Sequence, residues 1–189
     1  MLSLTKPQKT LLLTTAWQSI AHGLKNGHPL AVQLSNYPPA LLEPQACFVT
    51  LSYQSQIRGC IGSLTSIRPF VQDVSENAFA AAFCDRHYEA IQEHELADLQ
   101  ITLDCLSAPE PLSINSEQEL IRQLNVDVDG LTLQDGSRHA TFLPSMWKKT
   151  PNPMQFVQQL KHKAGLPAAY WAKSIKVNRF KTQIIANAE

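Results

Sequence analysis

The chain has 189 residues, 44% hydrophobic and 17% charged, and its 16 basic and 16 acidic side chains cancel. That length buries a core without staples, as one large domain or two small lobes, and the composition excludes a disordered chain. No apolar run approaches the roughly 20 residues that cross a bilayer, and Leu11–Leu13 is too short and too soon interrupted for a signal peptide, so cytoplasm is the expected compartment.

Thr5, Lys6 and Pro7 read as a helix cap with proline in the first turn, and Leu12, Ala16, Ile20 and Leu24 follow at helical spacing until Gly27. Residues 28–45 carry Pro29, Pro38, Pro39 and Pro44 and should be extended or looped. Strand pattern starts at Cys47 and, after the polar break Gln54–Gln56, runs into Arg58-Gly59-Cys60-Ile61-Gly62, which predicts a hairpin. Ser66–Pro69 should open a second helix with Phe70, Val74 and Ala78 buried, ending near Cys84 before the loop Asp85-Arg86-His87-Tyr88. A strand over Leu99–Leu106, a short helix opened by a Ser116/Glu119 capping box, and an antiparallel segment over Val126–Leu143 follow. Asn152 and Pro153 begin a helix that Gly165 and Pro167 end, and a last strand covers about Ser174–Ile185. Helices and strands are mixed without regular βαβ alternation, so the expected class is α+β with a largely antiparallel sheet.

The zero net charge hides a division. Residues 1–147 hold 8 basic and 15 acidic groups, and residues 148–189 hold 8 basic and 1 acidic. The basic end could meet phosphate or a partner protein, yet a nucleic-acid-binding domain usually carries net positive charge, and aromatics are not interleaved with these lysines. The four cysteines, Cys47, Cys60, Cys84 and Cys105, form no CxxC pair, which predicts free thiols and gives no zinc knuckle. Asp127 and Asp129 lack the third acid and closing glutamate of an EF-hand, so no metal is assigned. GxGxxG, Walker-type, HExxH and GxSxG motifs are absent, and the cofactor is unknown.

Two glycines around one cysteine let a ligand or a second backbone come close. Strand alternation would put Arg58, Cys60 and Gly62 on one face, where the guanidinium would favour thiolate. The other reading is a small buried side chain in a bulged strand. Asp85 could orient the imidazole of His87, or both could cap a helix and face water. Lys163 suits a helix C-terminus, Trp171 and Trp147 suit a core or a cleft wall, and Asp104 and His139 are expected to face solvent.

Cys47-Phe48-Val49-Thr50-Leu51, Arg58-Gly59-Cys60-Ile61-Gly62, the Asp85 loop, Asp129-Gly130-Leu131, Leu143-Pro144 and Lys163-Ala164-Gly165-Leu166-Pro167 with Trp171 together resemble the AMMECR domain family. Its microbial members include protein A of the AmmeMemoRadiSam system. The resemblance implies a single domain over 1–189 built of two intertwined lobes, with the glycine-cysteine segment near a cleft. It also implies a genomic setting shared with a Memo-like protein, related in fold to non-haem iron dioxygenases, and a radical SAM protein. The glycine-bracketed thiol and the Asp85 loop, read together with the resemblance, make Cys60, Arg58, Asp85 and His87 the candidate catalytic residues, and Gly59, Gly62, Lys163 and Trp171 the candidate ligand-binding residues. The chain departs from the family at Arg86, His87 and Tyr88, where proline, arginine and phenylalanine are usual, and at Lys161, where a cysteine is common.

Overall fold

The computed structural model describes residues 4–65 and 67–186. It divides into two compact units, one made of the chain up to Leu106 plus the segment from Gln183, the other Ser107–Thr182. Each carries a four-stranded sheet, and the α+β class expected from the sequence is the one observed.

In the first unit, helix α1 (Lys6–Asn26) starts at a reciprocal cap: the Thr5 hydroxyl accepts the Gln8 N–H, and the Gln8 side chain accepts that of Thr5. Gly27, at φ 74°, ends it. The proline-rich stretch supplies only the 3-10 turns Leu34–Asn36 and Pro39–Leu41. Strands β1 (Cys47–Tyr53) and β2 (Gln56–Gly62) form the predicted hairpin, turning through Gln54 and Ser55 at φ 50° and 63°. Helix α2 (Phe70–Phe83) begins behind Pro69 and ends at Cys84, while the start expected at Ser66 lies outside the described residues.

Strand β3 (Gln100–Leu106) pairs antiparallel with β1, and the sheet order is β2-β1-β3-β8. Leu51 lies between Gly59 and Ile101, and Val49 between Ile61 and Leu103. These rows pack with Leu12, Ala16 and Ile20 of α1 and Phe70, Val74 and Ala78 of α2 into one core. Burial of that apolar surface, at about 25 cal/mol per Å², is what holds two modestly amphipathic helices in place.

The second unit contains β4 (Glu110–Pro111), α3 (Glu117–Gln123), β5 (Gly130–Asp135), β6 (Arg138–Phe142), α4 (Pro153–Lys163) and β7 (Lys176–Phe180), with sheet order β4-β7-β5-β6. Gly136, at φ 59°, turns β5 into β6. Asn152 caps α4 by accepting the N–H groups of Met154 and Gln155. Trp147 stacks on Phe156 at 3.8 Å between centroids and donates its indole N–H to the Asp129 carbonyl at 2.7 Å. That satisfies the only polar atom of a fully buried ring.

The single strand expected over Ser174–Ile185 is two strands, β7 and β8 (Thr182–Ala186), belonging to different sheets. Ser107 explains the break. Its hydroxyl accepts the Lys181 N–H and its own N–H donates to the Lys181 carbonyl, which takes both Lys181 backbone groups out of the ladders.

Candidate functional site

The hairpin pairing slips between Leu51 and Ser52: Leu51 faces Gly59, Ser52 faces Ile57, and Arg58 is the extra residue of a β-bulge. Strand alternation is therefore interrupted at Arg58, so the period of two no longer assigns its side chain to the Cys60 face. The guanidinium turns instead to Glu95, making a bidentate pair of 2.7 and 3.1 Å with a carboxylate that is almost wholly buried. The Arg58 hydrogen bond, working against burial, holds the Glu95 carboxyl below its usual range, and the same bond raises Arg58. Glu95 went unnoticed in the sequence because an acidic residue in Glu93-His94-Glu95 reads as surface. Its signal was the spacing from Gln92, whose N–H it accepts at 2.9 Å.

The two glycines answer two different close approaches. A Cβ on Gly59 would stand 2.0 Å from the Ala81 carbonyl of α2, so its missing side chain admits a helix backbone. A Cβ on Gly62 would meet Phe48 and the Cys47 carbonyl at 2.4–2.5 Å. With Gly59 turned toward α2, Cys60 lies on the opposite face of the sheet, in a row with Thr50 and Thr102. The thiol is half-buried, and the Thr50 hydroxyl donates to its sulfur at 3.3 Å. Asp104, expected at the surface, is buried on this same face.

Three of the four predicted residues come together. Asp85, just beyond α2 and buried, accepts the Cys60 N–H on Oδ2 at 2.9 Å. Its Oδ1 takes the His87 N–H at 3.0 Å and meets His87 Nδ1 at 2.8 Å. Burial pushes the Asp85 carboxyl up, but the donors from Cys60 and His87 outweigh it and hold the group below the ordinary carboxylate range. An ionised, fixed Asp85 orients the imidazole through Nδ1, and the side chain of His87 is 85% exposed. The arrangement anchors an edge strand through the Cys60 backbone and offers an oriented ring to solvent.

Lys163 and Trp171 belong to the second unit. The Lys163 ammonium donates to the Thr141 carbonyl at 3.0 Å and lies 5.3 Å from the centre of the Phe142 ring. Trp171 lines a cavity of ≈ 280 Å³ with Ile114, Asn115, Lys173 and Ile175. Lys161, one of the basic carboxy-terminal side chains, is fully buried, and its ammonium reaches Glu117 Oε2 at 2.6 Å and the carbonyls of Ala168 and Tyr170. Among the described residues no group of three or more His, Cys, Asp or Glu side chains is placed to hold a metal ion, and no helix is long and apolar enough to cross a membrane.

The AMMECR1 family model matches residues 13–185, nearly the whole chain. The chain belongs to the AMMECR1 family. Among AMMECR1 relatives, it is 28% identical to Protein MJ0810 of Methanocaldococcus jannaschii over 84% of this chain and 81% of that one. It is 31% identical to a protein of Thermococcus onnurineus over 92% and 87%. The crystal structure of the uncharacterised protein PH0010 from Pyrococcus horikoshii superposes with a TM-score of 0.87 at 27% identity, covering 96% of this chain and 92% of that one. The AMMECR1 fold is thus shared at 27% sequence identity.

Proposed function

We propose that this chain is an accessory component of a modification pathway that also uses a Memo-like protein and a radical SAM protein. It engages a ligand or partner at a cleft beside the Arg58–Gly62 segment. The observation that carries this reading is the Asp85 carboxylate, which bonds both the Cys60 N–H and His87 and so gathers residues distant in sequence around one exposed imidazole. An accessory role fits better than nucleophilic catalysis, because Arg58, the cation nominated to activate the thiol, is already neutralised by Glu95.

Pull-downs from the native host test this. The intact chain should retain the Memo-like and radical SAM proteins, and a Cys60→Ala/His87→Ala double variant should retain them about tenfold less, the equivalent of about 1.4 kcal/mol. Equal retention by both forms, or none by either, overturns the reading. Iodoacetamide labelling of Cys60 much faster than a model thiol would move the assignment from accessory to enzymatic.

A second reading, a protein- or RNA-binding module using the basic carboxy-terminal third, is weakened by where those cations go. Lys161 is buried on Glu117, Arg179 is paired with Glu110, and Lys163 is bonded to Thr141. Lys148, Lys149, Lys173, Lys176 and Lys181 are exposed, and changing these five to Glu is the informative variant. RNA binding that falls steeply with salt and disappears in that variant would favour the module.

A further inference from the structure

Cys47 and Cys105 stand directly opposite each other in the β1–β3 ladder. The Leu106 N–H donates to the Ala46 carbonyl at 2.9 Å. That bond closes the neighbouring position, which makes Cys47 and Cys105 a non-hydrogen-bonded pair, with Cα atoms about 4.5 Å apart and side chains rising from the same face. This lies inside the span of about 4.4–6.8 Å that a disulfide bridges. Both are free thiols and both are buried, so neither is occupied by the Cys60 cluster.

We propose that Cys47 and Cys105 are an oxidative modification site, at which a small uncharged hydroperoxide closes an intrachain disulfide between β1 and β3. The core location selects the oxidant: a bulky disulfide such as oxidised glutathione has no room to form a mixed disulfide there, whereas hydrogen peroxide is little larger than water. The sulfur of Cys105, the slightly less covered of the two, attacks a peroxide oxygen first, and the O–O bond breaks to give a sulfenic acid and one water. The Cys47 sulfur then displaces the sulfenic oxygen. Two S–H bonds break, one S–S bond forms, two electrons pass to the peroxide, and two waters leave. Burial first, then the neighbouring acidic groups, keep the thiols protonated, with Cys105 pushed up to about 12, so the reaction is slow in the closed core. The bridge encloses residues 48–104, the segment that carries Arg58, Cys60, Asp85, His87 and Glu95. It therefore constrains the segment that holds Cys60, Asp85 and His87.

The full chain as a Cys60→Ser/Cys84→Ser double variant, which retains only this pair, is treated with hydrogen peroxide, then alkylated in denaturant and mapped by mass. Both thiols should vanish together with a mass loss of about 2 Da and a Cys47–Cys105 cross-linked peptide, and dithiothreitol should restore both. Adding Cys105→Ala should abolish the cross-link. The proposal is overturned if both thiols remain titratable after exposure that oxidises a model thiol completely, or if they acquire oxygen separately without a cross-link. Should the double variant fail to fold, the wild-type chain decides the matter: the cross-linked peptide must join Cys47 to Cys105, and a Cys60–Cys84 bridge in its place sinks the idea.

Discussion

Gly59 carries the tightest constraint in the site, because α2 passes close enough that an added methyl would sit 2.0 Å from the Ala81 carbonyl oxygen. Backbone cannot yield as a side-chain tip does, so Gly59→Ala should cost about 2–4 kcal/mol, read as a lower urea midpoint at unchanged slope. A gain is available four residues earlier. Gln54 and Ser55 both hold positive φ in the two-residue turn, a conformation that Asn-Gly adopts with little strain. Ser55→Gly should raise stability by about 0.5–1 kcal/mol, and a midpoint at or below wild type would show that the turn is not strained. The glycine-bracketed cysteine was conspicuous in the sequence for the right physical reason, close approach, but the visitor at Gly59 is α2. The bulge breaks the period of two at Arg58, while Gly59, Cys60, Ile61 and Gly62 keep the alternation expected of them.

At the level of elements, both sheets end in strands whose outward backbone groups are taken by a side chain. On β2 the Cys60 N–H is held by Asp85, and on β6 the Thr141 carbonyl is held by Lys163. Capping an edge in this way removes a template for pairing with another chain. Asp85→Ala should cost about 1–3 kcal/mol through the unsatisfied Cys60 N–H and the lost His87 bond. Because β2 would gain a free edge, the variant should also aggregate sooner on heating, measured by light scattering. Lys161 plays a related part for the loop after α4, holding Glu117 and the carbonyls of Ala168 and Tyr170 from within the core. Lys161→Met would leave those carbonyls unpaired and should cost about 3 kcal/mol. The helices and the β1–β2 hairpin were legible because caps, prolines and apolar spacing are local signals. The partition of β7 from β8 was not, since it depends on Ser107, distant in sequence, capturing Lys181.

Across the whole molecule the acid response combines groups of opposite sign. Glu95 and Asp85 have depressed folded values, so each contributes stability that is fully present above its unfolded value, near 4.5 and 3.8, and lost as pH falls through the folded one. Asp73 behaves oppositely. Burial raises it despite donors from Arg68 and Ser63, so the folded state takes up its proton before the unfolded chain does, and that contribution grows as pH falls toward 3.8. Stability should therefore hold nearly level down to about pH 4.5 and then drop steeply. Glu95→Gln separates the terms: it should lose about 2 kcal/mol at pH 7 by weakening the Arg58 pair, yet lose less between pH 4.5 and pH 3 than the wild type, because the group that titrates there is gone. Urea midpoints measured at half-unit steps from pH 7 to pH 3 give both curves. Parallel curves would mean that Glu95 titrates normally and that its pair with Arg58 does not persist in solution.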